Sequence, residues 1–233
     1  MSCIPIGDTV CELGNHRNTA SWGTTKEHYL RLGYQRYVCI DVNEEMDAYP
    51  MDLNENLRHH YGFKEQFHLV TNNGTGEHIF DQRLIFENMH NLTRKNGYML
   101  HIMPFHGWQN HGFFNFHPVL YRDIANSNGY SWEFLWISTR DGNYRALDGS
   151  EETFRENKPS QPNDLYTDLP NNAQIVACFQ KMDEIPFRVP FLGRYLDDIT
   201  DSMIAKEYDY ATHGREETDG QDCPGPLSTR SGY

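Results

Sequence analysis

Long apolar runs are missing from this chain. No stretch of about 18 apolar residues occurs in its 233 residues, so no segment reads as a membrane-spanning helix. The opening MSCIPIGDTVCELG has no basic region followed by a long apolar stretch, and no secretory signal is read there. Basic residues are scarce: 20 Lys+Arg against 33 Asp+Glu give a formal charge of -13. A surface this acidic, without a Lys/Arg cluster, repels phosphate backbones, so no nucleic-acid partner is expected. Cysteines are few and unpaired in pattern. The 5 of them (Cys3, Cys11, Cys39, Cys178, Cys223) form no C-x-x-C. Three, Cys11, Cys39 and Cys178, sit inside apolar runs where a free thiol packs as a small hydrophobe. A reducing, cytoplasmic setting fits this usage. There is no internal repeat.

What is present alternates. Short apolar runs at Thr9–Leu13, Tyr37–Val42, Phe67–Thr71 and Gly97–Met103 each end in a breaker or a polar cluster and read as buried strands. Between the first two lies a helix-like segment, Thr24–Leu32, stopped by Gly33. Between the last two, Ile79, Phe80, Leu84, Ile85, Met89 and Leu92 recur at helical spacing, and Asn96-Gly97 is expected to end that helix. This rhythm predicts an α/β fold, a mostly parallel twisted sheet with helices on both faces. The runs Trp132–Ile137 and Ala173–Phe179 have no convincing helix between them and are expected to form an antiparallel pair at the sheet edge. A long Asn/Asp/Pro/Gly-rich segment, 140–172, joins them and is expected to be functional or disordered. Leu192, Tyr195, Leu196, Ile199 and Met203 suggest one last helix. One domain over 1–210 and a disordered polar tail over 211–233 complete the expected organisation.

In open α/β sheets ligands bind beyond the carboxyl ends of the strands. There the chain offers Glu12, Gly14 and Asn15, then Asp41 and Val42, then Asn72 and Asn73. A carboxylate closing the second strand suits a ribose, because it accepts from both hydroxyls of a cis-diol. The first turn, Gly14-Asn15-His16-Arg17-Asn18, lacks the second glycine of G-x-G-x-x-G, and His16 obstructs backbone approach to a pyrophosphate. A nicotinamide-dependent oxidoreductase is therefore disfavoured. S-adenosylmethionine carries no phosphate; Glu12 answers its amine and Asp41 its ribose. Methyl transfer is the leading reading.

These residues resemble the class I (Rossmann-like) S-adenosylmethionine-dependent methyltransferases, from about Thr9 to Tyr195. Val10-Cys11-Glu12-Leu13-Gly14-Asn15 resembles the first motif in an "ELGN" form. Met51-Asp52-Leu53-Asn54 is similar to the short third strand, and the resemblance implies that Asp52 faces the adenine, with Leu53 beside it. Val70 to His78 resembles a "VTNxGTxEH" fourth motif, and Phe86 to Leu92, His111 to Phe116 and Asn128 to Tyr130 continue the pattern. The resemblance implies an S-adenosylmethionine cofactor and leaves the acceptor open. Members of the broad class usually place helices before the first strand, over the acceptor. Here the first strand begins within ten residues of Met1, so those cap helices are not expected. The acceptor site is then expected from Phe105 to Pro118, from segment 140–172, or from a second copy in a homo-oligomer.

Histidines crowd that region: His101, His106, His111 and His117 fall five, five and six apart. No compact zinc pair results, so no metal is expected from spacing. His111, beside Gly112, is the first choice of general base. Glu77 and His78, just past the fourth strand, are read as catalytic or as a helix cap. Trp108, Phe113, Phe114 and Phe116 are read as lining an acceptor pocket, with Phe113 and Phe116 alternatively plugging the loop into the core, the latter favoured for Phe113. No Asn/Asp-Pro-Pro-aromatic tetrad follows the fourth strand, which with the acidic charge points to a small-molecule or saccharide-like acceptor methylated on O or N. The competing reading is a catalytically silent cofactor-binding scaffold or assembly subunit.

Overall fold

A computed structural model describes residues 4–16, 23–139 and 142–209. Eight strands form one sheet: β1 (Thr9–Leu13), β2 (Arg36–Asp41), β3 (Tyr49–Pro50), β4 (Phe67–Asn73), β5 (Thr93–His106), β6 (Ser131–Ser138), β7 (Tyr144–Ala146) and β8 (Ala173–Gln180). Their spatial order is β3-β2-β1-β4-β5-β8-β6-β7. The first five pair in parallel; β8 runs antiparallel between β5 and β6, and β7 closes the edge antiparallel to β6. The α/β fold with a largely parallel sheet is thus as the sequence predicts. The antiparallel pair differs in one respect. It does not form the edge itself, because β7, whose three residues carry no apolar period, adds outside it.

The helices are α1 (Thr25–Leu32), α2 (Leu57–His60), α3 (Gln82–Leu92), α4 (Pro118–Asn128), α5 (Glu151–Phe154), α6 (Asp164–Thr167) and α7 (Ser202–Glu207). Burial on both faces gives β1 and β4 their continuous apolar character. On one face, Cys11, Leu13, Val70 and Phe179 pack with Ile85, Met89 and Leu92 of α3 and with Tyr121 and Ile124 of α4. On the other, Val10, Leu69 and Leu100 pack with Tyr29 of α1 and with Tyr34. Thr24 caps α1 with a full capping box, its side chain accepting from Glu27 N–H while the Glu27 carboxylate accepts from Thr24 N–H.

Several expected boundaries move. α3 starts at Gln82, where the Asp81 side chain accepts from Leu84 N–H, so Ile79 and Phe80 lie in the approach rather than in the helix. It ends at Leu92, and Thr93 enters β5 directly; Asn96-Gly97 instead forms an irregular start of β5 that exchanges backbone hydrogen bonds with Lys181. The expected last helix is two pieces, a 3-10 turn at Gly193–Asp198 and the short α7, with Tyr195 and Met203 exposed. Those side chains meet no core, so their spacing had no face to serve. The unread helix α4 begins at Pro118 and ends at Gly129 in the left-handed conformation. Residues 142–172 carry β7, α5 and α6, and the Asn163 amide ties them by donating to the carbonyls of Glu152 and Arg155. The stretch 211–233, Arg17, Asn18 and Arg140 lie outside the described residues.

The chain leaves β1 for β2 and β3 on one side, then returns to β4 on the other. The carboxyl ends of β1 and β4 therefore flank a topological switch point, where such sheets bind ligands.

Candidate functional site

Gly14 makes the turn after β1 with φ +83°, a left-handed backbone that disfavours any side chain, and its N–H donates to Ile40 O at 2.8 Å. A Cβ there would stand 2.0 Å from Thr75 Oγ1. That closeness has a purpose in the packing: the Thr75 hydroxyl donates to Leu13 O at 2.7 Å and binds the loop after β4 onto the loop after β1.

Asp41, at the end of β2, is the hub of the neighbouring loops. Its Oδ2 accepts from Asn15 N–H at 2.8 Å, and its Oδ1 accepts from Asn43 N–H at 3.2 Å and from the Asn43 amide at 2.8 Å. The Asn15 amide in turn donates to Asn43 Oδ1 and to Glu45 O. Val42, next in the chain, is 71% exposed, unusual for a valine at a strand end. Asp52 follows β3 and accepts from Asn54 N–H and its amide, while Leu53 is buried in the core. The Leu53 carbonyl accepts from the buried Asn88 amide at 3.5 Å. Asn72 is buried; its carbonyl oxygen accepts from Gly76 N–H at 2.9 Å, and its Nδ2 has no partner among the described residues. Asn73 is exposed at the tip of β4.

Glu12 sits deeper than expected. It is 2% exposed, and Tyr37 Oη donates to its Oε2 at 2.5 Å. Burial pushes its carboxyl up to about 7, with the Tyr37 hydrogen bond opposing. A hollow of about 350 Å³ opens beside the turn between His16, Thr24, Lys26, Tyr37 and Met46; Tyr37, not Glu12, lines it. Glu12 therefore meets this hollow through Tyr37. His16 Nε2 is buried without a partner among the described residues, and burial lowers its pKa.

Past Thr75 the chain forms a 3-10 turn, Gly76–His78, that drives Glu77 inward and His78 outward. The loop after β5 folds back over this turn. Phe113 N–H donates to Glu77 O at 2.8 Å, and Gly112 lies so close that a Cβ would stand 2.8 Å from Glu77 Cγ. His111 is thereby brought against Glu77. Its Nε2 lies 3.3 Å from Glu77 Oε1, and His78 Nε2 lies 3.7 Å from the same oxygen. The two imidazole rings meet edge to face at 5.1 Å, and the Trp108 ring lies tilted against His111 at 4.8 Å while its indole N–H donates to Ala173 O. Glu77 is 1% exposed; the two imidazoles are 47% and 41% exposed. The three side chains singled out separately for catalysis share one corner.

The other loop histidines do not join them. His101 is enclosed by the rings of Phe86, Tyr121 and Phe179, and burial drives its pKa down to about 3, a neutral core histidine. His106 is exposed at the end of β5, and His117, also exposed, precedes α4 with its pKa lowered by desolvation. Phe116 is the loop's plug into the core. Phe113 is not: at 67% exposure it faces out with Phe80, at 74%, and the rings stand 5.9 Å apart. Sequence reading missed Tyr37 and Tyr121. Register brings the first to Glu12, and α4, which it did not find, carries the second; helical spacing of Tyr121, Ile124 and Ala125 was the available signal.

No protein-family model matches the chain, and no curated protein matches its sequence. Among solved structures it is similar to a SAM-dependent methyltransferase from Archaeoglobus fulgidus, at 15% identity and TM-score 0.47 over 75% of this chain and 86% of that one. A chain from the Haloferax volcanii complex of the Trm112 methyltransferase activator with a candidate methyltransferase is 15% identical, TM-score 0.49, over 77% and 84%. A SAM-dependent methyltransferase from Methanosarcina mazei is 10% identical, TM-score 0.44, over 78% and 96%. At these identities the likeness is one of chain trace alone.

Proposed function

We propose that this chain is an S-adenosylmethionine-dependent methyltransferase acting on a small-molecule or saccharide-like acceptor. The observation that carries the reading is the juxtaposition, across the Thr75–Leu13 hydrogen bond, of the Gly14 turn with its Asp41 hub and the Glu77–His78–His111 corner. Asp41 accepts the ribose hydroxyls by exchanging donors with the loop, and Gly14 and Asn15 offer backbone to the methionine portion. Val42 covers one face of the adenine, while Asp52 and the Leu53 backbone meet its edge. Asn72 and Asn73 border the donor from β4, and Glu12 acts from below through Tyr37. The acceptor enters over Phe80, Phe113 and Trp108, an apolar rim beside the corner.

Transfer is an in-line displacement. The acceptor lone pair forms the new bond to the methyl carbon, the sulfur–carbon pair stays on sulfur, and the acceptor proton leaves to His111 with Glu77 behind it. The sulfonium is already activated, so holding donor and acceptor in line supplies most of the acceleration. A positioned base adds about 10²–10⁴-fold for a hydroxyl acceptor.

The test is calorimetric titration with S-adenosylhomocysteine. Binding is expected at one site per chain, weakened at least about tenfold in Asp41→Ala, which corresponds to about 1.4 kcal/mol, with NADH giving no heat. No binding, or binding that Asp41→Ala leaves intact, overturns the assignment. Binding without turnover on any acceptor would favour the silent scaffold instead.

A further inference from the structure

The Glu77–His78–His111 corner has an unmet electrostatic demand. Glu77 is 1% exposed, yet neither carboxylate oxygen has a hydrogen-bond partner among the described residues. A carboxylate taken out of water is costly unless it is paired or coordinates a metal. The two imidazole nitrogens stand 3.3 and 3.7 Å from Glu77 Oε1 without hydrogen-bond geometry. One ligand atom from each of the three residues falls within 4.8 Å of the others. Two ligands each about 2.1 Å from a tetrahedral centre stand about 3.4 Å apart. The Glu77–His111 and Glu77–His78 separations already bracket that spacing.

We infer that this corner is a mononuclear site for a divalent transition-metal ion of the zinc class. Two imidazoles and one carboxylate suit zinc, iron(II) or cobalt(II) rather than magnesium or calcium, which take oxygen ligands. The backbone fixes the set: Phe113 N–H holds Glu77 O, and Gly112 permits the close approach that carries His111 in. The imidazoles are 47% and 41% exposed, so three protein ligands leave a position open to solvent, as in catalytic rather than structural zinc sites. Linear spacing excluded this site only because it compared the loop histidines with one another. The partner of His111 is a Glu-His pair from another strand end.

The site stands on its own geometry; its use rests on the methyl-donor reading. An acceptor hydroxyl coordinated at the open position becomes more acidic and gives its proton to solvent. Its oxygen lone pair then forms the bond to the methyl carbon, and the sulfur–carbon pair stays on sulfur. With the ion seated, His111 is a ligand; it serves as a base only in the ion-free protein.

The test is titration of chelator-treated full-length protein with zinc chloride by calorimetry, and with cobalt chloride by visible absorption. One ion per chain is expected, with Kd near or below about 1 µM for zinc and a four-coordinate cobalt band. Affinity should fall at least about 100-fold in both His111→Ala and Glu77→Gln, and His106→Ala should leave it unchanged. Circular dichroism melts of each variant verify the fold, and His78→Ala supplies a second, half-exposed position should Glu77→Gln unfold. Absence of a stoichiometric zinc site, or zinc binding undiminished in His111→Ala and His78→Ala, overturns the inference. S-adenosylhomocysteine titration of the same samples separates the two ideas: zinc bound at this corner with no nucleoside binding supports the ion site and sinks the methyltransferase reading.

Discussion

Replacing Glu12 by Gln should stabilise the protein above neutral pH and leave it nearly unchanged near pH 4. The carboxyl ionises near 4.5 in an unfolded chain and near 7 in the folded one, because burial penalises its charge. As pH rises from 4.5 to 7 the unfolded state loses its proton first, so the folded state holds more protons and stability declines. At about 1.4 kcal/mol per unit, the displacement amounts to about 3 kcal/mol, fully expressed above about pH 8. Glu12 is 2% exposed, so solvent screening takes little from this figure. Gln removes the charge and keeps an oxygen to accept from Tyr37 Oη. The assay is urea unfolding of both proteins at pH 4, 5, 6, 7 and 8. The stability difference should open from near zero at pH 4, through about 1 kcal/mol at pH 5, to about 3 kcal/mol at pH 8, equivalent to a melting shift of about 6–12 °C at this size. A difference independent of pH, or a variant less stable at pH 8, refutes the burial argument.

Two further substitutions probe other buried polar groups. His101→Phe keeps a ring among Phe86, Tyr121 and Phe179. Because the folded histidine titrates near 3, the wild type should lose stability as pH falls from 6.5 toward 3 while the unfolded chain takes up the proton, and the variant should lose less in acid melts. Lys181→Met should destabilise by about 2–4 kcal/mol in denaturant unfolding. The Lys181 ammonium is 2% exposed and donates to the carbonyls of His90 and Thr93 and to Glu184, and methionine leaves those buried carbonyls unmet.

What was legible in the sequence follows from what physical signal each part carries. β1, β2 and β4 are buried on both faces, so their apolar runs stand out, and the acid at the end of β2 marks the strand tip on inspection. α4 was hidden: seven of its side chains are buried, but Pro118 at its start, the polar Asn126 and Asn128, and the aromatic loop before it mask the period. α7 is the converse, a helical spacing with nothing to pack against. At the site, Glu77, His78 and His111 could each be chosen for their chemistry. Their meeting depends on Gly112 lying against Glu77, a tertiary contact that no period encodes. Glu12 was read as a ligand for an amine because its place near the carboxyl end of β1 is visible, whereas its enclosure by Tyr37 depends on strand register.

Everything turns on whether a phosphate-free nucleoside donor lies across the Gly14 turn with its sulfur toward the Glu77–His111 corner. A crystal structure of the protein grown with S-adenosylhomocysteine measures this directly. The account predicts ribose hydroxyls on Asp41 and the sulfur facing the space bordered by Glu77, His78 and His111. A nucleoside bound away from Asp41, or a sulfur turned from that corner, would contradict it.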